Sequence, residues 1–230
     1  ITNPRMRDAT ATGRSLALIG EGIAYLGKNR IVFGAISLDL MAVLLGSATA
    51  MLPAYARDVL HAGPEAFGHL RAAPAIGAVT VALILAMFPI REHVGLWMFA
   101  GVGAFGAATI TFGVSTVFWT AFASLIVLGA GDMLSVYVRQ SLIQLSTPDE
   151  MRGRVSAVST VFISASNELG EFESGTMARF LGVVPSVIIG GVAACVVAVA
   201  WLFLFPELRK ADRWETSEQI GIDEKEAKAT

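Results

Sequence analysis

The sequence contains few charged residues for its length. Only 16% of its 230 residues are Asp, Glu, Lys or Arg, whereas a soluble domain carries about 25%. Hydrophobic residues make up 54%, so a soluble domain of this size could not cover them with polar surface. The net charge is −2, and no basic stripe follows the chain, which excludes nucleic acid as the expected partner.

Cysteine and histidine are also scarce. The single cysteine, Cys195, excludes a disulfide framework within the chain. The three histidines lie in or near predicted loops, and none pairs with a Ser or Asp as an intramembrane hydrolase would require. No metal-ligand spacing is visible either. We therefore expect neither an enzyme nor a bound cofactor or metal.

Apolar segments dominate what remains. Six of them are at least 20 residues long, which is enough to cross a hydrocarbon core of about 30 Å. They lie at residues 31–55, 66–89, 94–113, 117–138, 155–181 and 183–205. This pattern predicts an all-α membrane protein, a six-transmembrane-helix bundle that occupies residues 31–206.

The flanking segments are more polar than the bundle. Lys and Arg concentrate before residue 31, in the second and fourth loops and just after residue 206, so both termini are expected in the cytoplasm. Residues 1–30 are predicted to be a cytoplasmic loop. Within it, residues 13–28 form either an interfacial helix or a connector helix packed on the bundle. Residues 207–230 are predicted to be a solvated cytoplasmic tail.

An acidic cluster interrupts the fifth apolar segment. It consists of Asn167, Glu168, Glu171 and Glu173. Glu168 and Glu171 share a helical face, while Glu173 points about 140° away from Glu168. A charge at the bilayer centre costs about 2.5–3.5 kcal/mol, so we expect these groups to line a transport path or carry protons. The alternative is a buried network closed by a basic residue, either Arg71 or Arg179.

Two further carboxylates lie inside predicted spans. Asp39 is about 12 Å and Asp132 about 10 Å from the predicted cytoplasmic end of its helix. They are interpreted either as a cytoplasmic gate and proton route or, preferably, as helix–helix hydrogen-bonding groups. Four basic residues are placed in the same gating or structural class: Arg71, Arg139, Arg152 and Arg154.

Several motifs resemble those of a known family. Residues 147–155, Thr-Pro-Asp-Glu-Met-Arg-Gly-Arg-Val, resemble the loop before the eleventh span of major facilitator superfamily transporters. Four other segments look like the branch that contains the enterobactin exporter and related drug exporters. They are residues 38–40, 52–58, 70–78 and 166–175. The loop at residues 89–95 departs from the family, because its basic, Gly-containing latch is reduced here.

The resemblance implies the C-terminal half of a twelve-helix secondary transporter of a bacterial inner membrane. It implies proton antiport and export of drugs or siderophore-like compounds by alternating access. The expected partners are membrane lipid, a small-molecule substrate, protons and an N-terminal six-helix half. The chain begins with Ile rather than Met, which suggests a fragment. The alternative is a complete six-helix scaffold or assembly subunit that transports nothing itself.

Overall fold

The computed structural model describes residue 27 and residues 29–209, and all regular structure within this part is helical. Its long helices are Arg30–Leu45 (α1), Pro64–Met87 (α3), Val94–Val114 (α4), Phe118–Ser146 (α5), Asp149–Leu181 (α6) and Val183–Leu204 (α7). The short elements are a 3-10 turn at Ala48–Met51 and the helices Leu52–Asp58 (α2) and Pro206–Arg209 (α8). Apart from residue 27, the helix predicted at 13–28 lies outside the described residues, as does the tail after residue 209.

Local sequence signals explain where the helices begin. The Asn29 side chain accepts a hydrogen bond from the Val32 amide at 3.2 Å and caps α1. Proline occupies the first position of α3, where its missing N–H costs nothing. Asp149 and Glu150 lie in the first turn of α6, where negative charge complements the helix dipole.

Within the described residues, five stretches are long and apolar enough to cross a membrane. They are Arg30–Asp58, α3, α4, α5 and α7. The remaining predicted span, 155–181, lies within the 33-residue helix α6, but this helix is too polar to meet the same criterion in the described part of the chain. The expectation of six apolar spans is therefore reduced to five apolar spans and one long amphipathic helix.

The first predicted span is interrupted, and the fourth is longer than expected. The helix of the first span is interrupted, because α1 ends at Leu45 with Gly46 as its cap, and the Ser47 hydroxyl donates to the Val43 carbonyl at 2.8 Å. The fourth span does not stop at residue 138, because α5 continues to Ser146. Arg139 follows the predicted end of this span, but its side chain is buried and paired inside the bundle.

Helix α5 lies at the centre of the bundle. It packs against α3 on one side and α4 on the other, and α4 in turn packs against α7. A methyl group at Gly129 of α5 would overlap the Pro74 carbonyl of α3, and one at Gly77 would overlap the Ile126 carbonyl. Only glycine permits this backbone approach. Helix α6 packs against α1 and α7, and most of its surface is uncovered.

Candidate functional site

A buried ion pair joins α1 to α5. The carboxylate of Asp39 pairs with the guanidinium of Arg139, and the two residues are only 4% and 3% exposed. The Ser135 hydroxyl donates to the Asp39 carboxylate at 2.8 Å. Arg139 Nε has no hydrogen-bond partner among the described residues. The pair therefore holds two helices together in a place where losing either partner would leave a buried charge.

Asp132 lies on the same face of α5 but takes no part in this pair. It precedes Ser135 by three residues and Arg139 by seven, a spacing that aligns all three side chains along the helix. Its carboxylate forms no hydrogen bond or ion pair with residues of the described part. Instead it lines a cavity of about 330 Å³. The sequence prediction grouped Asp39 with Asp132, whereas the structure gives them different surroundings.

The cavity lies where α1 is interrupted. Its walls come from the end of α1, the 3-10 turn, α3, α4 and α5. The lining residues other than Asp132 are Val43, Gly46, Ser47, Thr49, Pro74, Ala75, Ala78, Phe105, Leu128 and Gly129. These residues are uncharged, so Asp132 is the one ionisable group lining this cavity.

A second cavity, of about 460 Å³, adjoins the first. The two share Thr49, Pro74 and Ala75 as lining residues, and we call them together the cleft. Arg71 from α3 and Glu171 from α6 both line this second part. The two side chains carry opposite charges but do not form an ion pair within the described chain. The cleft thus has a carboxylate at one end and a separated acid and base at the other.

The packing of α6 determines which way its carboxylates point. Gly170 and Ser174 are buried, and a methyl group at Gly170 would lie 2.8 Å from the Leu44 carbonyl oxygen of α1. The Ser186 hydroxyl of α7 donates to the Ser174 carbonyl at 3.1 Å. These contacts turn the Gly170 face toward α1 and α7, so the neighbouring Glu171 faces the cleft.

The predicted acidic cluster is divided by this arrangement. Asn167 and Glu168 are exposed and line neither part of the cleft. Glu173 is half-buried and lines a separate apolar groove of about 720 Å³. The other groove residues are Leu44, Leu45, Leu169, Phe172, Thr176, Met177, Phe180 and Leu181. Of the four predicted residues, only Glu171 reaches the cleft.

Arg152 and Arg154 lie at the start of α6 and line neither cavity of the cleft. Arg152 pairs with Asp149 at 2.7 Å and donates to the Thr147 carbonyl at 3.4 Å. The Arg154 guanidinium donates to the Met151 sulfur at 3.4 Å. Both side chains therefore bind groups in the loop and first turn that precede them.

Sequence reasoning missed Ser135 and the hydroxyl-bearing turn at Ser47 and Thr49. A signal for Ser135 was present, because its spacing from Asp132 and Arg139 places it on their helical face. No comparable signal exists for the pairing of Asp39 with Arg139, since the two are far apart in the chain. Only the packing of α1 on α5 brings them together.

Comparison with known proteins places this architecture in context. A family model described as "Transmembrane secretion effector" matches residues 29–228. The chain is 24% identical over 205 residues to the "Uncharacterized MFS-type transporter YvqJ" of Bacillus subtilis (strain 168). The match covers 89% of this chain and 48% of that protein. The chain thus spans about half the length of the curated relative it matches.

Proposed function

The chain belongs to the transmembrane secretion effector family of MFS-type transporters, and from this we propose that it forms the C-terminal half of a proton-coupled exporter. Family membership makes it a multi-pass membrane protein that serves transport rather than catalysis. The proposal also holds that transport is export, that it is coupled to protons, and that a complementary six-helix half completes the transporter. It places the chain in a bacterial inner membrane with both termini of this segment in the cytoplasm.

The cleft is the observation that supports this proposal most directly. It brings Asp132, Arg71 and Glu171 from three helices to the walls of two cavities that share lining residues. Ionisable groups inside a membrane bundle are costly, and they persist where an ion or a polar substrate must pass. The two parts of the cleft, about 330 and 460 Å³, fall within the usual size range of small-molecule sites.

The uncovered surfaces indicate where a second half would bind. Helix α3 contacts α5 along one face and leaves Ile76, Val79 and Leu83 exposed. Helix α6 leaves Thr160, Ser164 and Asn167 exposed along one face. The apolar surface of α3 suits lipid or another helix, whereas the polar stripe of α6 suits a protein partner or an aqueous path. An N-terminal half that covers both faces would enclose the cleft.

Alternating access would then follow from the same groups. Two bundles rock about a central site, and protonation of a cleft carboxylate changes the cost of burying it. The two protonation states therefore favour different orientations of the bundles. Glu171 and Arg71 line the same part of the cleft, whereas Glu168 and Glu173 line neither part of it. The substrate would be a drug or siderophore-like compound with apolar surface.

The proposal predicts that transport requires both halves. We expect this chain, reconstituted in liposomes with a six-helix N-terminal half, to export a substrate when a proton gradient is imposed. The chain alone provides one wall of the path and is expected to transport nothing. The measurement is substrate flux with and without the gradient. Equal flux from the chain alone would contradict the two-half proposal. Absence of flux with several N-terminal halves would favour the scaffold alternative.

A further inference from the structure

We propose that Asp132 is the proton-binding site of this half, and that Arg139 stabilises its ionised form. The inference rests on the proposed function and deepens it, because it transfers the role of proton carrier from the glutamates of α6 to α5. It depends on three observations, namely the depth of Asp132, the absence of a partner for its carboxylate, and its alignment with an arginine held nearby.

Asp132 lies midway along its helix, which suits a group that exchanges protons first with one side of the membrane and then with the other. Helix α5 runs from Phe118 to Ser146 over 29 residues, and Asp132 is its central residue. At 1.5 Å per residue, about 21 Å of helix separates it from each end. The helix is also apolar and long enough to span a membrane. The cavity that Asp132 lines gives protons a route to this depth.

The surroundings of Asp132 favour its neutral form in the state that the structure shows. The residues that line its cavity from α1, the 3-10 turn, α3 and α4 carry no charge. Arg71 and Glu171 line the adjoining part of the cleft, and Arg139 is engaged with Asp39. An ionised Asp132 would therefore be an unpaired charge in a largely apolar space, which is costly.

Arg139 offers the ionised form a partner. Side chains on a helix lean toward its amino end, so the guanidinium of Arg139 extends along α5 in the direction of Asp132. Ser135 lies between them and already donates to Asp39 at 2.8 Å. When Asp132 loses its proton, its negative charge attracts Arg139 and weakens the hold of Asp39. Proton release is thereby linked to the contact between α1 and α5.

Infrared spectroscopy of the chain in lipid nanodiscs tests this proposal. Spectra are recorded as the pH is stepped from about 5 to about 8, a range that brackets physiological titration. We expect a protonated-carboxyl C=O band that disappears as the pH rises. Asp132→Asn should abolish the band, whereas Glu168→Gln and Glu171→Gln, the matched controls, should retain it. Persistence of the full band in Asp132→Asn would overturn the proposal.

Two further measurements keep the test decisive if Asp132→Asn fails to fold. Aspartate labelled with ¹³C in the otherwise unchanged chain should shift the band, and an unshifted band would assign it to a glutamate. Asp132→Glu should keep a protonated-carboxyl C=O band, at a frequency different from that of the unchanged chain. Na⁺ added at constant pH should leave the spectrum unchanged. Loss of the band with Na⁺ but not K⁺ would instead identify a sodium site.

Infrared detection does not depend on transport, so the two proposals can fail separately. A band from Asp132 without flux in the reconstituted two-half system would contradict the transport function alone. Proton-driven flux that survives unchanged in Asp132→Asn, together with a missing aspartate band, would contradict only the role of Asp132.

Discussion

At the scale of single residues, the bundle separates two aspartates that look alike in the sequence. Asp39 is buried against Arg139 and Ser135, so its charge is compensated within the protein. Asp132 faces a cavity without a partner in the described chain. Asp39 is a structural residue, because its charge is paired. Asp132 is the more reactive group, because its carboxylate is unpaired among the described residues.

The ion pair leads to a prediction about stability. Arg139→Met alone should destabilise the chain by about 3–5 kcal/mol, because it leaves Asp39 as a buried, uncompensated charge. The double variant Asp39→Leu/Arg139→Met should recover most of this loss, since it removes both charges together. Unfolding in detergent, followed by circular dichroism, measures both effects. A double variant as unstable as the sum of the single variants would show that the charges do not act as a pair.

Most helix positions could be predicted from the sequence, but the orientation of side chains could not. Apolar length located α3, α4 and α7 within a few residues, because lipid requires long apolar helices. The extent of α5 was missed, since Arg139 resembles a residue at the membrane boundary until its partner is known. Helical spacing predicted that Glu173 points away from Glu168 and Glu171, but only the contact of Gly170 with α1 determines which space each face meets.

At the scale of helices, the contact between α3 and α5 depends on residues without side chains. Gly129 lies directly against the carbonyl of Pro74, which itself lies inside α3. The same two residues line the cavity beside Asp132. The close approach of α3 and α5 therefore forms part of the wall of the cavity beside Asp132 and also contributes to bundle stability.

Gly129→Ala tests this contact. The added methyl group would overlap backbone atoms that cannot move independently of α3, so we expect a loss of about 1–3 kcal/mol. The matched control is Gly103→Ala in α4, where no atom lies within 4 Å of the added carbon. That change should be neutral or stabilise the helix by up to about 1 kcal/mol. Thermal unfolding compares the two, and equal stability would argue against close packing at Gly129.

At the scale of the whole molecule, the position of α6 relative to the membrane decides how the polar residues are used. The helix has 33 residues and at 1.5 Å per residue extends about 50 Å, but its composition alone does not make it a span. It packs against α7, which qualifies as a span, and against α1, which is the first part of the candidate span Arg30–Asp58. We infer that α6 crosses the bilayer with them.

Cysteine labelling measures this topology directly. In a Cys195→Ala background, which removes the one native cysteine, we expect Glu150→Cys and Gly182→Cys to react with a membrane-impermeant reagent from opposite sides. The two positions lie at the ends of α6. Thr116→Cys, between α4 and α5, should react on the same side as Gly182→Cys. Labelling of both α6 ends from one side would show that this helix lies along the membrane.

The interruption at Gly46 and Ser47 has a mechanical consequence. The segment before it, α1, is fastened to α5, α6 and α7. The segment after it is anchored elsewhere, because the buried Tyr55 hydroxyl lies 2.7 Å from the carbonyl oxygens of both Phe112 and Ser115 at the end of α4. The first span therefore consists of two helical segments joined at a hinge rather than one continuous helix. A displacement of either segment can widen or narrow the space beside Asp132 while the packing contacts of the other segment are kept.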